Sequence, residues 1–457
     1  MSLLIVLAAL GFLMWVAYRG NSVILFAPVA ALGAVLLSAP LDVAPAFSAL
    51  FLERMAEFLK SYFAVFLLGA LFGKLIELSG FAQAIVQAVL KLLGPSRAIP
   101  AVVLVCALLT YGGVSLFVVV FAVYPFAFEL FRRTDIPRRL LPGTIALGAF
   151  TFTMDSLPGT PQIQNVIPTT FFGTTTWAAP VLGTIGAVFI LISGLAYLSW
   201  RRRQAGSEGF GELPKDVVAV PEATTKIHWA IALLPLVVVG VSNFVLTNVI
   251  KRTYGESWKL SFSTQTVDVK KWAAIWAVEA ALLLGIATVV LFAFKRLRAS
   301  FTDGSKAAVQ GAMLASMNTA SEYGFGAIIA ALPGFLVISD ALKKIPSPLI
   351  GEAVSVTTLA GITGSASGGM GLALGAMATT FIEQAKAANI PMEVLHRVAS
   401  MASGGMDTLP HNGAVITLLA VTGLTHKQSY RDIFAITLIK TAAVFVVIAV
   451  YSTTGLT

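Results

Sequence analysis

Long apolar runs separated by short polar stretches cover most of the chain. They lie at 2–18, 22–38, 60–78, 98–131, 140–154, 177–200, 228–250, 272–294, 307–338, 349–382, 398–425 and 432–452. A transmembrane helix needs about 20 mostly apolar residues, whereas a membrane β-barrel needs short alternating strands. The pattern therefore predicts an all-α polytopic membrane protein with about 12 transmembrane helices.

Two of these runs, the fourth and the tenth, are too long for a single span. Gly112-Gly113 interrupts the fourth run and Gly368-Gly369 interrupts the tenth. Glycine weakens helices, and non-helical backbone inside a membrane is tolerated only where it contacts protein or lines a wet cavity. The sequence therefore predicts broken or re-entrant helices at both glycine pairs.

The composition excludes several classes of protein. The 457 residues are 57% hydrophobic and only 12% charged, whereas a soluble domain has about 25% charged residues. Soluble enzymes, secreted disulfide scaffolds and disordered proteins are therefore excluded. The chain contains no G-x-x-x-x-G-K-[ST] loop and no H-E-x-x-H sequence, which would indicate an ATP-driven motor or a metalloprotease. We expect neither an enzyme nor a cofactor or metal.

Two stretches of the chain share three landmarks in the same order. Each has a glycine pair, then Ile-Pro, then Met-Asp-Ser/Thr-Leu-Pro. Asp155 follows Gly113 by 42 residues, and Asp407 follows Gly369 by 38 residues. A match of three ordered landmarks predicts an internal repeat.

The charges of two loops predict that these repeats have opposite orientations. The loop before Asp155 carries four arginines and one aspartate, a balance of +3. The loop before Asp407 is counted as neutral, with Lys386 and Arg397 against two glutamates. Basic loops stay in the cytoplasm, so only the first loop is placed there. Inverted repeats with broken helices are typical of secondary transporters, whose sites lie between the repeats at the bilayer midplane.

A polar linker divides the chain near its middle. It covers 201–227 and begins with three arginines, which place it in the cytoplasm. The N-terminal half, 1–200, contains the first repeat at about 60–175. The C-terminal half, 228–457, contains the second repeat at about 307–425.

Polar residues inside the apolar runs are the candidate binding residues. A carboxylate in the bilayer needs a partner or a proton, so Asp155 and Asp407 are expected to act in ion coupling or to shape the site, and Glu322 is expected to carry a proton. Hydroxyl, amide and imidazole groups near these residues are expected to bind a substrate. The predicted substrate- and ion-binding residues are Gly112, Gly113, Ser115, Asp155, Ser156, Thr160, Gln162, Asn165, Asn318, Glu322, Ser365, Ser367, Gly368, Gly369, Asp407, Thr408, His411 and Asn412.

Structural roles are the alternative for several of these residues. Glycine pairs also allow close packing of membrane helices. Aspartate beside a hydroxyl residue is a common helix N-cap. A lone histidine such as His411 is often structural, and Glu322 would also suit the interfacial end of a span.

Short sequences near the predicted breaks resemble the gluconate permease family, within the ion-transporter superfamily. They are Ser-Ala-Ser-Gly-Gly at 365–369, Leu-Pro-His-Asn-Gly at 409–413, Gly-Ile-Thr-Gly at 361–364 and the polar group 318–324. The resemblance covers nearly the whole chain. Residues 154–165 look more like a branch associated with short hydroxy acids such as D-3-hydroxybutyrate.

The resemblance implies a proton-coupled symporter that imports sugar acids and other hydroxy acids across the bacterial inner membrane. It also implies a scaffold domain, a mobile transport domain with paired re-entrant hairpins, and a homodimer. The expected partners are a small organic acid and the lipid bilayer, without nucleic acid. Protons are the expected coupling ion, and Na⁺ remains open. The alternative is a cation/proton antiporter of the same superfamily, because paired carboxylates also suit a cation.

Overall fold

Helices account for nearly all of the apolar runs in the computed structural model. The structure describes residues 2–19, 21–94, 97–211, 227–343, 345, 347–410 and 412–457. Among these, five helical segments are long and apolar enough to cross a membrane, judged by length and composition: Pro40–Leu78, Pro180–Gln204, Trp229–Tyr254, Val269–Ala331 and His426–Thr454. The all-α membrane fold is therefore confirmed, whereas the count of about 12 spans stays a prediction.

The helices are numbered in chain order. They are α1 (Ser2–Tyr18), α2 (Val23–Ser38), α3 (Val43–Ala46), α4 (Glu53–Leu78), α5 (Phe81–Leu93), α6 (Ala98–Tyr111), α7 (Leu116–Arg133), α8 (Leu141–Ala149), α9 (Phe152–Asp155), α10 (Ile163–Phe172), α11 (Pro180–Gln204), α12 (Trp229–Tyr254), α13 (Val269–Ala331), α14 (Pro333–Lys343), α15 (Pro348–Thr363), α16 (Ala366–Ala387), α17 (Met392–Ser403), α18 (Gly413–Thr422) and α19 (His426–Thr454). A π-helical stretch, Phe47–Leu52, precedes α4. An antiparallel hairpin of β1 (Ser257–Lys259) and β2 (Thr266–Asp268), which the sequence did not predict, joins α12 to α13.

The outward-facing surface of the helices is apolar. Leu37, Ile192 and Leu291 are 69%, 61% and 75% exposed, respectively. A soluble protein rarely exposes so much apolar surface, but lipid tails are as apolar as these side chains. Inside, one apolar cluster extends from Val6 in α1 to Ile448 in α19.

Both of the overlong runs are broken helices, but the second break is not where the glycine pair predicted it. α6 and α7 are separated by residues 112–115, as expected. α15 and α16 are separated instead by Gly364 and Ser365, because Gly364 ends α15 in a left-handed conformation with φ of 68° and Ser365 caps α16. The pair Gly368-Gly369 lies within the first turn of α16.

The two Met-Asp-Ser/Thr-Leu-Pro sequences also lie at breaks. The first covers the end of the four-residue helix α9 and the non-helical segment before α10. The second lies in the non-helical segment between α17 and α18. A broken helix pair, a second broken pair and a long helix thus follow one another in the same order in 98–204 and 348–454.

The longest helix, α13, reverses direction relative to α4. It has 63 residues, so a straight α13 would be about 95 Å long, roughly three times the hydrocarbon core. Along α13, Gly285 lies against Phe72 of α4, and the Arg296 side chain then reaches Ser79 just after α4. Further along α13, Gly324 lies against Phe51, before the start of α4. The predicted spans 272–294 and 307–338 are therefore two arms of one bent helix.

Two clusters of basic residues lie at one end of the long helices. Arg201, at the end of α11, has its Nε 2.7 Å from Oδ1 of Asp432 near the start of α19. Arg139, in the loop before the first Met-Asp sequence, has its Nη1 3.6 Å from Oδ2 of Asp432. Two of the predicted cytoplasmic clusters thus lie at the same end.

The loop before the second Met-Asp sequence lies at the opposite end. Pro391 and Glu393 line a small pocket together with Pro180, the first residue of α11, and Thr457. α11 has 25 residues and therefore a length of about 37 Å. The two loops are separated by about the length of this helix, which is the arrangement that an inverted repeat requires.

Candidate functional site

The helix breaks of both halves line one cavity. Its volume is about 1140 Å³, and its lining includes Gly113, Gln162, Ser365 and Asp407, one residue from each of the four breaks. Segments that are distant in sequence thus meet at one place. A cavity bounded by non-helical backbone is the kind of site that membrane transporters use.

Besides α2, which starts after the lining residue Ser22, the four helices that follow the breaks begin at this cavity. They are α7 after Ser115, α10 after Gln162, α16 after Ser365 and α18 after Asn412. The first N–H groups of a helix lack intrahelical partners, and the helix dipole makes this end positive. Ser365 and Asn412 cap their own helices through their side chains, whereas Ser115 and Gln162 do not. The N-termini of α7 and α10 therefore keep N–H groups for an anion.

One wall of the cavity carries a carboxyl group without a charged partner. Glu322, in the second arm of α13, is 4% exposed, and its Oε2 has no hydrogen-bond partner among the described residues. The Ser365 side chain interacts with this carboxyl, and a Cβ at Gly368 would collide with Oε2. A buried carboxylate needs a proton or a cation. Asn318 lines the same wall, and its side chain makes no hydrogen bond in the described part of the chain.

Asp407 lines the cavity and is paired with a buried lysine. Lys440, in α19, is 1% exposed, and its Nζ donates a hydrogen bond to Oδ1 of Asp407. Nζ also donates to the main-chain oxygen of Phe150, 3.1 Å away, at the C-terminal end of α8. The hydroxyl groups of Thr408 and Thr437 are 2.6 Å apart beside this pair. The break between α17 and α18 is thus tied to α19 and to the end of α8.

Asp155 lies near this ion pair but does not line the cavity. Its Oδ1 accepts a hydrogen bond of 2.7 Å from Ser156, and its main-chain oxygen accepts one of 2.9 Å from Nη1 of the fully buried Arg397. Lys440 and Asp407 are both close enough to interact electrostatically with the Asp155 carboxylate. Among the described residues, no group of three or more His, Cys, Asp or Glu side chains is placed to hold a metal ion.

Ten of the predicted site residues line the cavity. They are Gly113, Ser115, Gln162, Asn318, Glu322, Ser365, Ser367, Asp407, Thr408 and Asn412. Those that do not line it are Gly112, Asp155, Ser156, Thr160, Asn165, Gly368 and Gly369. His411 lies outside the described residues.

Several side chains that were expected to bind substrate hold the backbone instead. Thr160 Oγ1 donates to the main-chain oxygen of Thr153 at 2.8 Å. Asn165 Nδ2 donates to the main-chain oxygens of Thr160 and Thr176. Gln162 lines the cavity, but its amide donates to two carbonyl groups near the first break. These amide hydrogens stabilise the breaks and are not free for a ligand.

In each glycine pair, one glycine allows close packing and the other lies at the cavity or beside a residue that lines it. A Cβ at Gly112 would collide with Leu236, and a Cβ at Gly369 would collide with the main chain of Ala360. The packing alternative therefore applies to these two glycines. Their neighbours differ, because Gly113 lines the cavity and Gly368 leaves room for the Glu322 carboxyl.

The sequence of a known transporter matches this chain from end to end. The chain is 57% identical over 471 aligned residues to the uncharacterized transporter YxjC of Bacillus subtilis (strain 168), and the alignment covers 100% of both proteins. The chain belongs to the family of this transporter. No protein-family model matches it. The protein is therefore a multi-pass membrane transporter, and the cavity is the candidate site of transport.

The interpretation of the sequence placed one buried basic residue, Arg397, in a loop and overlooked another, Lys440. Arg397 was counted as a loop residue but is fully buried in α17, whereas Lys386 and the two glutamates lie in the helix turns beside the loop. Without Arg397 the charge balance is −1. Lys440 is the only charged residue between 433 and 452. A charge inside an apolar run is a functional candidate by itself, and this signal was available for Lys440.

Proposed function

We propose that the protein is a proton-coupled symporter that imports a small organic hydroxy acid anion, such as gluconate or 3-hydroxybutyrate, across the bacterial inner membrane. The observation that carries this proposal is the meeting, at one cavity, of the N-termini of the four helices that follow the breaks, two of which, α7 and α10, have no side-chain cap. Oriented N–H groups and positive helix ends bind anions without a metal or cofactor. The resemblance to the gluconate permease family supports the hydroxy acid as substrate.

In the proposed binding mode, the substrate carboxylate lies against the N-termini of α7 and α10. The hydroxyl groups of the acid face Asn318 and Ser367, two polar residues of the cavity lining. Lys74 is the one basic residue among the described lining residues, and its Nζ is 2.8 Å from Oε1 of Glu77. This partly buried pair faces the open cavity, and an ion pair that water still reaches contributes little to binding by itself.

Glu322 is the proposed proton carrier. Among the carboxyl groups that line the cavity, Asp407 is paired with Lys440 and Glu77 is paired with Lys74. Glu322 has no such partner in the part of the chain that the structure describes. In the proposed cycle, Glu322 takes up a proton on the outside together with the anion, so that no net charge is added to the cavity. Loss of the proton inside leaves two negative charges that repel each other and favour release.

The proposed moving elements are the repeats at 60–175 and 307–425. The opposite placement of their loops and their common order of helices and breaks support inverted topology. Inverted repeats allow alternating access by movement of one part of the protein against the rest around a fixed site. A scaffold domain and a homodimer are part of the proposal through the family resemblance.

A cation/proton antiporter is the second candidate function. The unpaired Glu322 carboxyl in the cavity is the observation that favours it, since a carboxylate also binds a cation. The helix N-termini argue against it, because positive helix ends repel a cation.

Uptake into proteoliposomes tests both candidates. We expect labelled gluconate or D-3-hydroxybutyrate to accumulate when the outside is acidic, and a protonophore to abolish the accumulation. Glu322→Gln is expected to lose accumulation while keeping exchange of substrate across the membrane. Glu77→Gln, which changes an acidic lining residue with a partner, is the matched control and is expected to accumulate substrate. Accumulation by Glu322→Gln would refute the coupling role, and cation/proton exchange without acid uptake would favour the antiporter.

A further inference from the structure

Lys440 lies where oxygen atoms of two helix breaks converge. Its ammonium group donates one hydrogen bond to a carboxylate oxygen of Asp407 and one to the main-chain oxygen of Phe150. Phe150 is the C-cap residue of α8, and Asp407 lies in the break between α17 and α18. Carbonyl groups at the C-terminal ends of broken helices, together with carboxylates, are the groups that bind coupling sodium ions in transporters.

Acidic and basic side chains are equal in number around this position. Asp155 and Asp407 supply two carboxyl groups, and Lys440 and Arg397 supply two basic groups. All four side chains belong to residues that are at most 8% exposed. A further cation would bring an unmatched positive charge into a region of low dielectric constant, which is unfavourable. The cluster therefore offers no excess of acidic groups to a sodium ion.

We propose that the Lys440 ammonium is a resident cation that takes the place of a coupling sodium ion, so that the transporter binds no sodium at the Asp407 break. The inference deepens the proposed function, because it leaves the proton as the coupling ion. The conclusion about the coupling ion rests on the proposed function, whereas the statement that no sodium binds at the Asp407 break does not. Its binding test requires no substrate.

The position of Lys440 on α19 gives it a second consequence. The lysine side chain cannot leave the site as a solute ion does, because it is attached to α19. This helix begins at His426, near the end of the molecule where Asp432 pairs with Arg201, and ends at Thr454. Its contact with Asp407 therefore holds the break between α17 and α18 in place at any sodium concentration. Removal of the ammonium leaves Asp407 and the Phe150 carbonyl as vacant oxygen ligands in a space that a small cation can enter.

Melting temperatures of the purified protein in detergent test this inference. The parent is expected to melt at the same temperature in sodium chloride and in choline chloride of equal concentration. Lys440→Ala is expected to melt at a lower temperature in choline chloride and to regain about 1–3 °C in sodium or lithium chloride. The matched control is Lys440→Ala combined with Asp407→Asn, which removes the anion as well and is expected to show no sodium response.

Two results would overturn the inference. A rise in the melting temperature of the parent with sodium would show that the ion binds while Lys440 is present, and this measurement needs no variant. An absent sodium response in folded Lys440→Ala would show that the lysine does not fill a cation site. If Lys440→Ala does not fold, Lys440→Gln keeps a neutral donor towards Asp407 and is tested in the same way. None of these outcomes depends on whether the substrate is a hydroxy acid, so failure here is distinct from failure of the uptake experiment.

Discussion

Asp407 and Lys440 depend on each other because both are buried. Asp407→Asn removes the counter-charge that is hydrogen-bonded to the Lys440 ammonium, and breaking a buried pair costs about 3–5 kcal/mol. We expect Asp407→Asn to lower the melting temperature strongly. Asp407→Asn combined with Lys440→Met is expected to recover most of the loss, since it leaves no buried charge at the pair. A melting temperature of Asp407→Asn equal to that of the parent would contradict the buried pair.

At the level of single residues, the sequence was informative about which positions are polar but not about what they contact. Glu322 and Asn318 were selected as polar residues in an apolar run, and both line the cavity. Asn165 was selected on the same grounds, but its amide and carbonyl groups are taken up by Thr160, Thr176 and His396. Partners that lie far away in the chain decide between these outcomes, and one sequence does not reveal them.

At the level of elements, close packing of α15 against α16 gives a prediction with a control in the same helix. Gly369 faces the main chain of Ala360, whereas nothing lies within 4 Å of a Cβ at Gly375. Gly369→Ala is expected to destabilise the protein by about 1–3 kcal/mol through overpacking and to reduce uptake. Gly375→Ala is expected to be neutral or slightly stabilising, because alanine favours the helix by about 1 kcal/mol. Equal melting temperatures of the two variants would contradict the packing of Gly369.

A second element-level prediction concerns the polar segment after α11. Oε1 of Glu208 is 2.7 Å from Nε of Arg139, and the Arg139 guanidinium holds the pKa of Glu208 below its usual value of 4.5. A lowered carboxyl pKa means that the stabilisation is present above pH 4.5 and is lost as the pH falls through the folded-state pKa. We expect the melting temperatures of the parent and Glu208→Gln to differ slightly at neutral pH and to converge in acid. A difference that grows in acid would contradict the pair.

The sequence predicted the existence of the helix breaks better than their exact positions. The glycine and Leu-Pro signals identified all four breaks, because these residues act on the local backbone. The second glycine break was placed four residues too late, since Gly364 provides the left-handed cap while Gly368 and Gly369 serve contacts with Glu322 and Ala360. The bent helix α13 was predicted as two spans, which describes its two arms but not their continuity.

At the scale of the whole molecule, the orientation of the two halves is the remaining prediction. Thr134 lies in the loop before the first Met-Asp sequence, at the end of the molecule where Arg139 and Arg201 meet Asp432. Ala387 ends α16, and the loop that follows it reaches Pro391 at the opposite end, beside Pro180. The positive-inside rule assigns the arginine end to the cytoplasm.

Cysteine labelling of intact cells tests this orientation. Thr134→Cys and Ala387→Cys are each introduced into a Cys106→Ser background, although Cys106 is itself buried. A membrane-impermeant thiol reagent is expected to label Ala387→Cys and to spare Thr134→Cys, and permeabilised cells serve as the control in which both are labelled. Labelling of both positions from outside would mean that the two loops share one side of the membrane. The repeats would then be parallel, and the cavity would have to open to its two sides by a movement other than the exchange of two inverted halves.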